Sequence, residues 1–100
     1  MVFILVTTIL PPHKGEEYVK LYASGKQAKY PDFVKPIHRF VVMDYDTKGY
    51  ALYEVPDDKI MEAMKAIGKR YSTYFTIEGF KAKMEILMES KDVLAMLGLG

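Results

Sequence analysis

Hydrophobic and polar positions change period several times along the chain, and each change marks an element. Val2 to Leu10 is a short run rich in Val, Ile, Phe and Thr, stopped by Pro11 and Pro12. Its length and β-branching favour a strand over a helix. Val2, Ile4 and Val6 fall on one face and Phe3, Leu5 and Ile9 on the other. A strand apolar on both faces expects cover on both. The proline pair suits the first turn of a helix, and Glu16 and Glu17 then stand where the macrodipole favours acids. Tyr18, Leu21 and Tyr22 recur at helical spacing, and Gly25 supplies a stop. A polar loop with Pro31 and Pro36 follows.

Period two returns at Ile37 to Tyr45 and at Tyr50 to Val55, which read as a hairpin. The intervening "DTKG" suits a three-residue loop with Gly49 in the left-handed position. That register pairs Tyr45 with Ala51 and Met43 with Tyr53. It puts Arg39, Val41, Met43, Tyr45, Ala51, Tyr53 and Val55 on one face. His38, Phe40, Val42, Asp44, Tyr50, Leu52 and Glu54 take the other. Asp57 is placed to cap a second helix after Pro56, with Ile60, Met64, Ile67 and Tyr71 as its buried stripe and Met61 and Ala63 beside it. Phe75 to Leu87 reads as a long last strand, with a bulge at Glu78-Gly79. Within it Phe80, Ala82, Met84 and Ile86 alternate with Lys81, Lys83 and Glu85, leaving one wet face. Ser90 is placed to cap a short helix from Lys91 to Leu97, stopped by Gly98.

The expectation is a single α+β domain over residues 1–100. Its order, β-α-β-β-α-β plus a short C-terminal helix, is ferredoxin-like: a four-stranded antiparallel sheet with two helices on one face. Two helices cover only one face of such a sheet, yet the first strand and the hairpin are apolar on both. Monomers seldom expose a contiguous apolar patch above roughly 300–600 Å². Face-to-face packing of two sheets about a two-fold axis resolves the conflict. A C-terminal helix folded over the open face is the competing solution.

Composition narrows the partners. The formal net charge of +1 gives no electrostatic case for nucleic acid or an anionic membrane. Only Arg39 and Arg70 among the basic side chains are arginines; the rest are lysines, which make fewer bidentate contacts. There is no cysteine, which removes disulfides, thiolate metal sites and cysteine nucleophiles and fits a reducing, cytoplasmic setting. The apolar opening lacks the basic start and small-residue cleavage site of a signal peptide. It is also too short to span a bilayer.

The element order, "PPHK" at Pro11 to Lys14, "KGYALYEV" at Lys48 to Val55 and "IEGF" at Ile77 to Phe80 resemble a small uncharacterised family. That family belongs to the dimeric α+β-barrel (ferredoxin-like) superfamily, and the likeness spans nearly the whole chain. The resemblance implies two sheets closed into a barrel, helices outside, and a ligand pocket between a sheet and its own helices. The superfamily includes monooxygenases, isomerases, haem-binding members and amino-acid sensors, and fold alone selects none of these activities.

Chemistry-bearing residues are few. His38 shares a face with Glu54, the minimal arrangement of a base and its orienting carboxylate, or else an ordinary cross-strand polar pair. His13 follows the first strand, either at the mouth of a helix–sheet pocket or facing solvent. These three are the candidate catalytic residues. Arg39 suits a substrate carboxylate or an acid across a dimer interface. Tyr45, Tyr50, Tyr53, Tyr71 and Tyr74 suit a pocket for a planar organic molecule or an interface. No Gly-rich phosphate loop, HxxxH or serine nucleophile elbow occurs, and neither a metal nor a cofactor is expected. Three functions compete. One is a homodimer binding a small aromatic or carboxylate-bearing ligand. Another is a cofactor-independent monooxygenase or isomerase of a small organic substrate. The third is a structural subunit whose only task is assembly.

Overall fold

The computed structural model describes residues 1–99. Strand β1 (Val2–Leu10) leads through a 3-10 turn at Pro12–Lys14 into helix α1 (Gly15–Ala23). Strands β2 (Lys35–Asp44) and β3 (Asp46–Val55) form the hairpin. Helix α2 (Ile60–Ser72), strand β4 (Lys81–Leu87) and helix α3 (Ser90–Met96) complete the chain. The four strands form one antiparallel sheet in the order β2-β3-β1-β4, an α+β arrangement compatible with a ferredoxin-like fold. The Cα trace is only 18 Å thick in its shortest direction, which fits one sheet and one helix layer about 10 Å apart.

The core lies between sheet and helices. Ile4 pairs with Tyr53 and Val6 with Ala51, and all four side chains are buried against the helix side. Ala63, Ile67 and Tyr71 of α2 close over them. Ile4, Val6, Val55 and Ile67 are fully buried, each stabilising the fold by about 1.5–3 kcal/mol. Of the expected α2 stripe, Ile67 and Tyr71 are buried and Ile60 and Met64 half-buried, while Met61 faces solvent.

Three local expectations are corrected. The hairpin does not turn at Asp46–Lys48. Tyr45 is its tip, with φ +59°, and Asp44 pairs with Asp46, Met43 with Thr47 and Arg39 with Ala51. Thr47 and Lys48 stay extended and lengthen both ladders of β3. Gly49 is therefore a strand residue opposite Thr8 and Val41. A Cβ there would meet Thr8 Oγ1 at 2.6 Å and displace that hydroxyl, so glycine serves here for space and not for a turn. The slip relative to the expected pairing is an even number of residues, so apart from Tyr45 the expected faces stand.

The last strand is shorter than its pattern suggests. Thr73–Thr76 continue α2 as a 3-10 turn. Ile77 N–H then donates to the Tyr74 carbonyl at 3.0 Å and Phe80 N–H to the Ile77 carbonyl at 3.1 Å. These turns bury Tyr74, Ile77 and Phe80 at a spacing of three. Gly79 has φ +86° in the turn before β4, and is not a strand bulge. Nor do the expected side-chain caps form. Asp57 belongs to a 3-10 turn before α2, and its carboxylate takes the Met1 ammonium at 2.7 Å. Ser90 is the first residue of α3, and its side chain makes no capping bond.

The second sheet face is open. Phe3, Leu5 and Ile9 of β1 and Tyr50 and Leu52 of β3 are half-buried there, and Phe40 and Val42 of β2 are exposed. Lys81, Lys83 and Glu85 make the β4 border of this face polar, as the alternation predicts. Helix α3 buries none of its residues and leaves Phe40 and Val42 uncovered.

Candidate ligand-binding site

The polar feature at the centre of the helix side is a chain of three phenols. Tyr53 sits mid-strand on β3, and its hydroxyl lies 2.6 Å from that of Tyr30 and 2.9 Å from that of Tyr71. Tyr71 arrives on the buried stripe of α2, and Tyr30 comes from the loop between α1 and β2. That loop is held from two sides. Arg70 donates to the Ala28 carbonyl at 3.0 Å and lies over the Tyr30 ring at 4.8 Å. Lys59 lies over the Phe33 ring at 5.8 Å, the cation–π geometry. Burial pushes the Tyr30 hydroxyl up to about 12 and raises those of Tyr53 and Tyr71 well above the phenol range. These groups are neutral hydroxyls at physiological pH, able to donate and accept hydrogen bonds but not to act as bases.

Beside this chain the helix α1 stands off the sheet. A cavity of about 90 Å³ is lined by Arg39, Tyr71, Tyr18 and Gly49 among others. A second, of about 240 Å³, is lined by Leu10, Val19, Phe80 and again Tyr18, Thr8, Val41 and Gly49. The shared walls make them two lobes of one groove. Tyr18 roofs it, stacked on Tyr74 with ring centroids 4.7 Å apart. Arg39 reaches the smaller lobe from β2, within electrostatic range of Tyr53, Tyr71 and Tyr30. Among the described residues it forms neither a salt bridge nor a side-chain hydrogen bond. The other arginine is committed to the loop, so the two have different tasks.

The expected site residues divide between places. Arg39 and Tyr71 line the groove, Tyr53 supports them from behind, and Tyr74 holds its roof. Tyr45 is 97% exposed at the hairpin tip, and Tyr50 borders the smaller lobe although its register puts its side chain on the open face. His38 and Glu54 are also on the open face, diagonal neighbours because His38 pairs with Leu52. No hydrogen bond joins them, and the His38 ring stacks instead on Phe40 at 5.6 Å. His13 lies exposed in the 3-10 turn beyond Leu10. His38 is level with Leu5, so about 17 Å of strand separates the two histidines' positions along the sheet. Tyr30 and Tyr18 are the participants missing from the sequence reading. Tyr18 had a helical period, but Tyr30 sits in an aperiodic loop.

A larger open cleft of about 610 Å³ lies at the opposite end of the sheet, between the chain start and α3. It carries Glu54, Asp57, Glu89 and Asp92 with Met1 and Lys91, and part of that charge is already paired. Among the described residues no three His, Cys, Asp or Glu side chains gather as a metal site, and no helix is long and apolar enough to cross a membrane. No protein-family profile, curated protein or solved structure matches this chain.

Proposed function

We propose that this protein is a homodimer that binds a small organic molecule in the groove between α1 and the sheet. The observation that carries the reading is Arg39, a cation with no protein partner at the wall of a groove lined otherwise by apolar, phenolic and threonine side chains. The two lobes together come near the lower end of the about 300–1,000 Å³ typical of small-molecule sites. Binding fits better than catalysis because a cofactor-free oxygenase or isomerase needs a base at its substrate. The histidines lie outside the groove, and burial holds the Tyr71 hydroxyl there neutral.

The open sheet face supports the dimer. Seven apolar or aromatic side chains across β1, β3 and β2 share it without cover (Phe3, Leu5, Ile9, Phe40, Val42, Tyr50 and Leu52). A second copy packed face to face buries them, and this is also the assembly that the resemblance to dimeric α+β barrels implies. His38 and Glu54 then lie inside the interface as diagonal polar neighbours. Native mass spectrometry of the freshly purified protein tests both parts. A dimer carrying a small bound molecule is expected. A protein reproducibly empty, and unshifted in melting temperature by a library of small organic acids and aromatics, overturns the binding role.

A further inference from the structure

We infer that the groove selects a carboxylate carried on an aryl or unbranched alkyl body, the carboxylate held by Arg39 and Tyr71 and the body directed past Gly49 toward Phe80. This rests on the proposed binding role and adds to it the ligand's class and orientation. The groove is charged at one end only. Arg39 and Tyr71 line the smaller lobe, whereas Leu10, Val19 and Phe80 line only the larger. A guanidinium without a carboxylate partner matches a carboxylate in geometry and charge. A phosphate dianion would call for further donors, and the groove offers neither a second cation nor a Gly-rich loop.

A proton count supplies the second donor. Three phenols carry three hydroxyl hydrogens, and the Tyr30–Tyr53–Tyr71 chain uses two of them in its two bonds. Tyr53 is fully buried and has one hydrogen, so the unused O–H belongs to one end of the chain. Tyr71, 9% exposed, lines the lobe that holds Arg39. An anion there orients the chain from Tyr30 through Tyr53 to Tyr71, and the spare O–H donates to it. Gly49 touches both lobes, and a side chain at that position crowds Thr8 on the same wall. Gly49 is thus the specificity-determining position for ligand length.

The test titrates the full chain with benzoate, 3-phenylpropionate and 3-phenylpropionamide by calorimetry or NMR. The acid should bind at least ten-fold more tightly than its isosteric amide. Arg39→Gln, on an exposed strand, should abolish that preference while the circular dichroism spectrum is unchanged. Tyr71→Phe should weaken the acid several-fold and leave the amide alone. Gly49→Ala should penalise 3-phenylpropionate more than benzoate. Equal affinities for acid and amide, or a preference that survives Arg39→Gln, overturn the inference while leaving a binding groove. Absence of binding by all three compounds overturns it together with the binding role.

Discussion

Removing the Tyr53 hydroxyl is the sharpest probe of the phenol chain, because Tyr53→Phe keeps the buried ring and deletes one atom that serves two bonds. The bonds measure 2.6 and 2.9 Å, and a typical internal hydrogen bond contributes about 0.5–1.5 kcal/mol net. The consequences differ at the two ends. Tyr30 is half-exposed and turns its hydroxyl to water, whereas Tyr71 is 9% exposed and loses its only protein partner. A buried hydroxyl left unpaired costs about 1–3 kcal/mol. Tyr53→Phe should therefore destabilise the fold by about 2–3 kcal/mol. Tyr71→Phe removes one bond only, because Tyr53 still reaches Tyr30, and should cost about 1 kcal/mol. Urea unfolding followed by far-ultraviolet circular dichroism reads both, as a shift in midpoint at constant slope. Two equal losses, or a Tyr53→Phe protein as stable as wild type, would refute the argument that Tyr53 is the shared link.

Other expectations follow from single features. The unfolded chain releases phenolic protons near pH 10, whereas Tyr30 and Tyr74 hold theirs to about 12, and Tyr53 and Tyr71 hold theirs well past 10. Their stabilisation is complete below pH 10 and is lost as pH rises above it, by up to about 1.4 kcal/mol per pH unit for each proton retained by the native state. Tyrosinate absorbance should then rise in two steps, the second coinciding with unfolding; a single reversible wave near pH 10 with the fold intact would contradict this. Gly79→Ala combines φ +86° with a Cβ placed 2.5 Å from Pro11 Cγ, while Gly25→Ala meets only a φ of +71° in open space. The first should exceed the roughly 1–2 kcal/mol left-handed penalty that the second pays, and equal urea midpoints would reject the clash. In the proposed face-to-face homodimer, Leu52→Lys should reduce the mass measured by light scattering from twice to once the 11.5 kDa of the chain; an unchanged dimer would place the interface elsewhere, and a wild-type mass of one chain would remove the dimer.

How far the sequence disclosed this molecule depends on which physical signal each part uses. Sidedness along β2 and β3 follows from alternation alone, so Arg39 and His38 take opposite faces under the expected register and the observed one alike; which of those faces the helices cover is not in the alternation and comes from the packing of α2 over Ile4, Val6 and Tyr53. Register depends on the turn, and here a bulky residue, Tyr45, occupies a left-handed tip that local preference disfavours. The longer ladders through Thr47 and Lys48 outweigh that strain, an effect that turn rules cannot register. The segment after α2 did carry a readable signal. Tyr71, Tyr74, Ile77 and Phe80 recur every three residues, the spacing of 3-10 turns, and all four are buried. Alternation beyond Phe80 masked it and drew the strand backwards to Phe75. The groove is a different case, since no period places Tyr30 next to Tyr53, 23 residues away. Nor does any local pattern separate the two arginines. Arg70 is occupied by a backbone carbonyl and a ring, and it is this prior commitment that leaves Arg39 as the cation able to meet something from outside the chain. The proposed binding role therefore rests on which of two chemically identical groups the fold has already used.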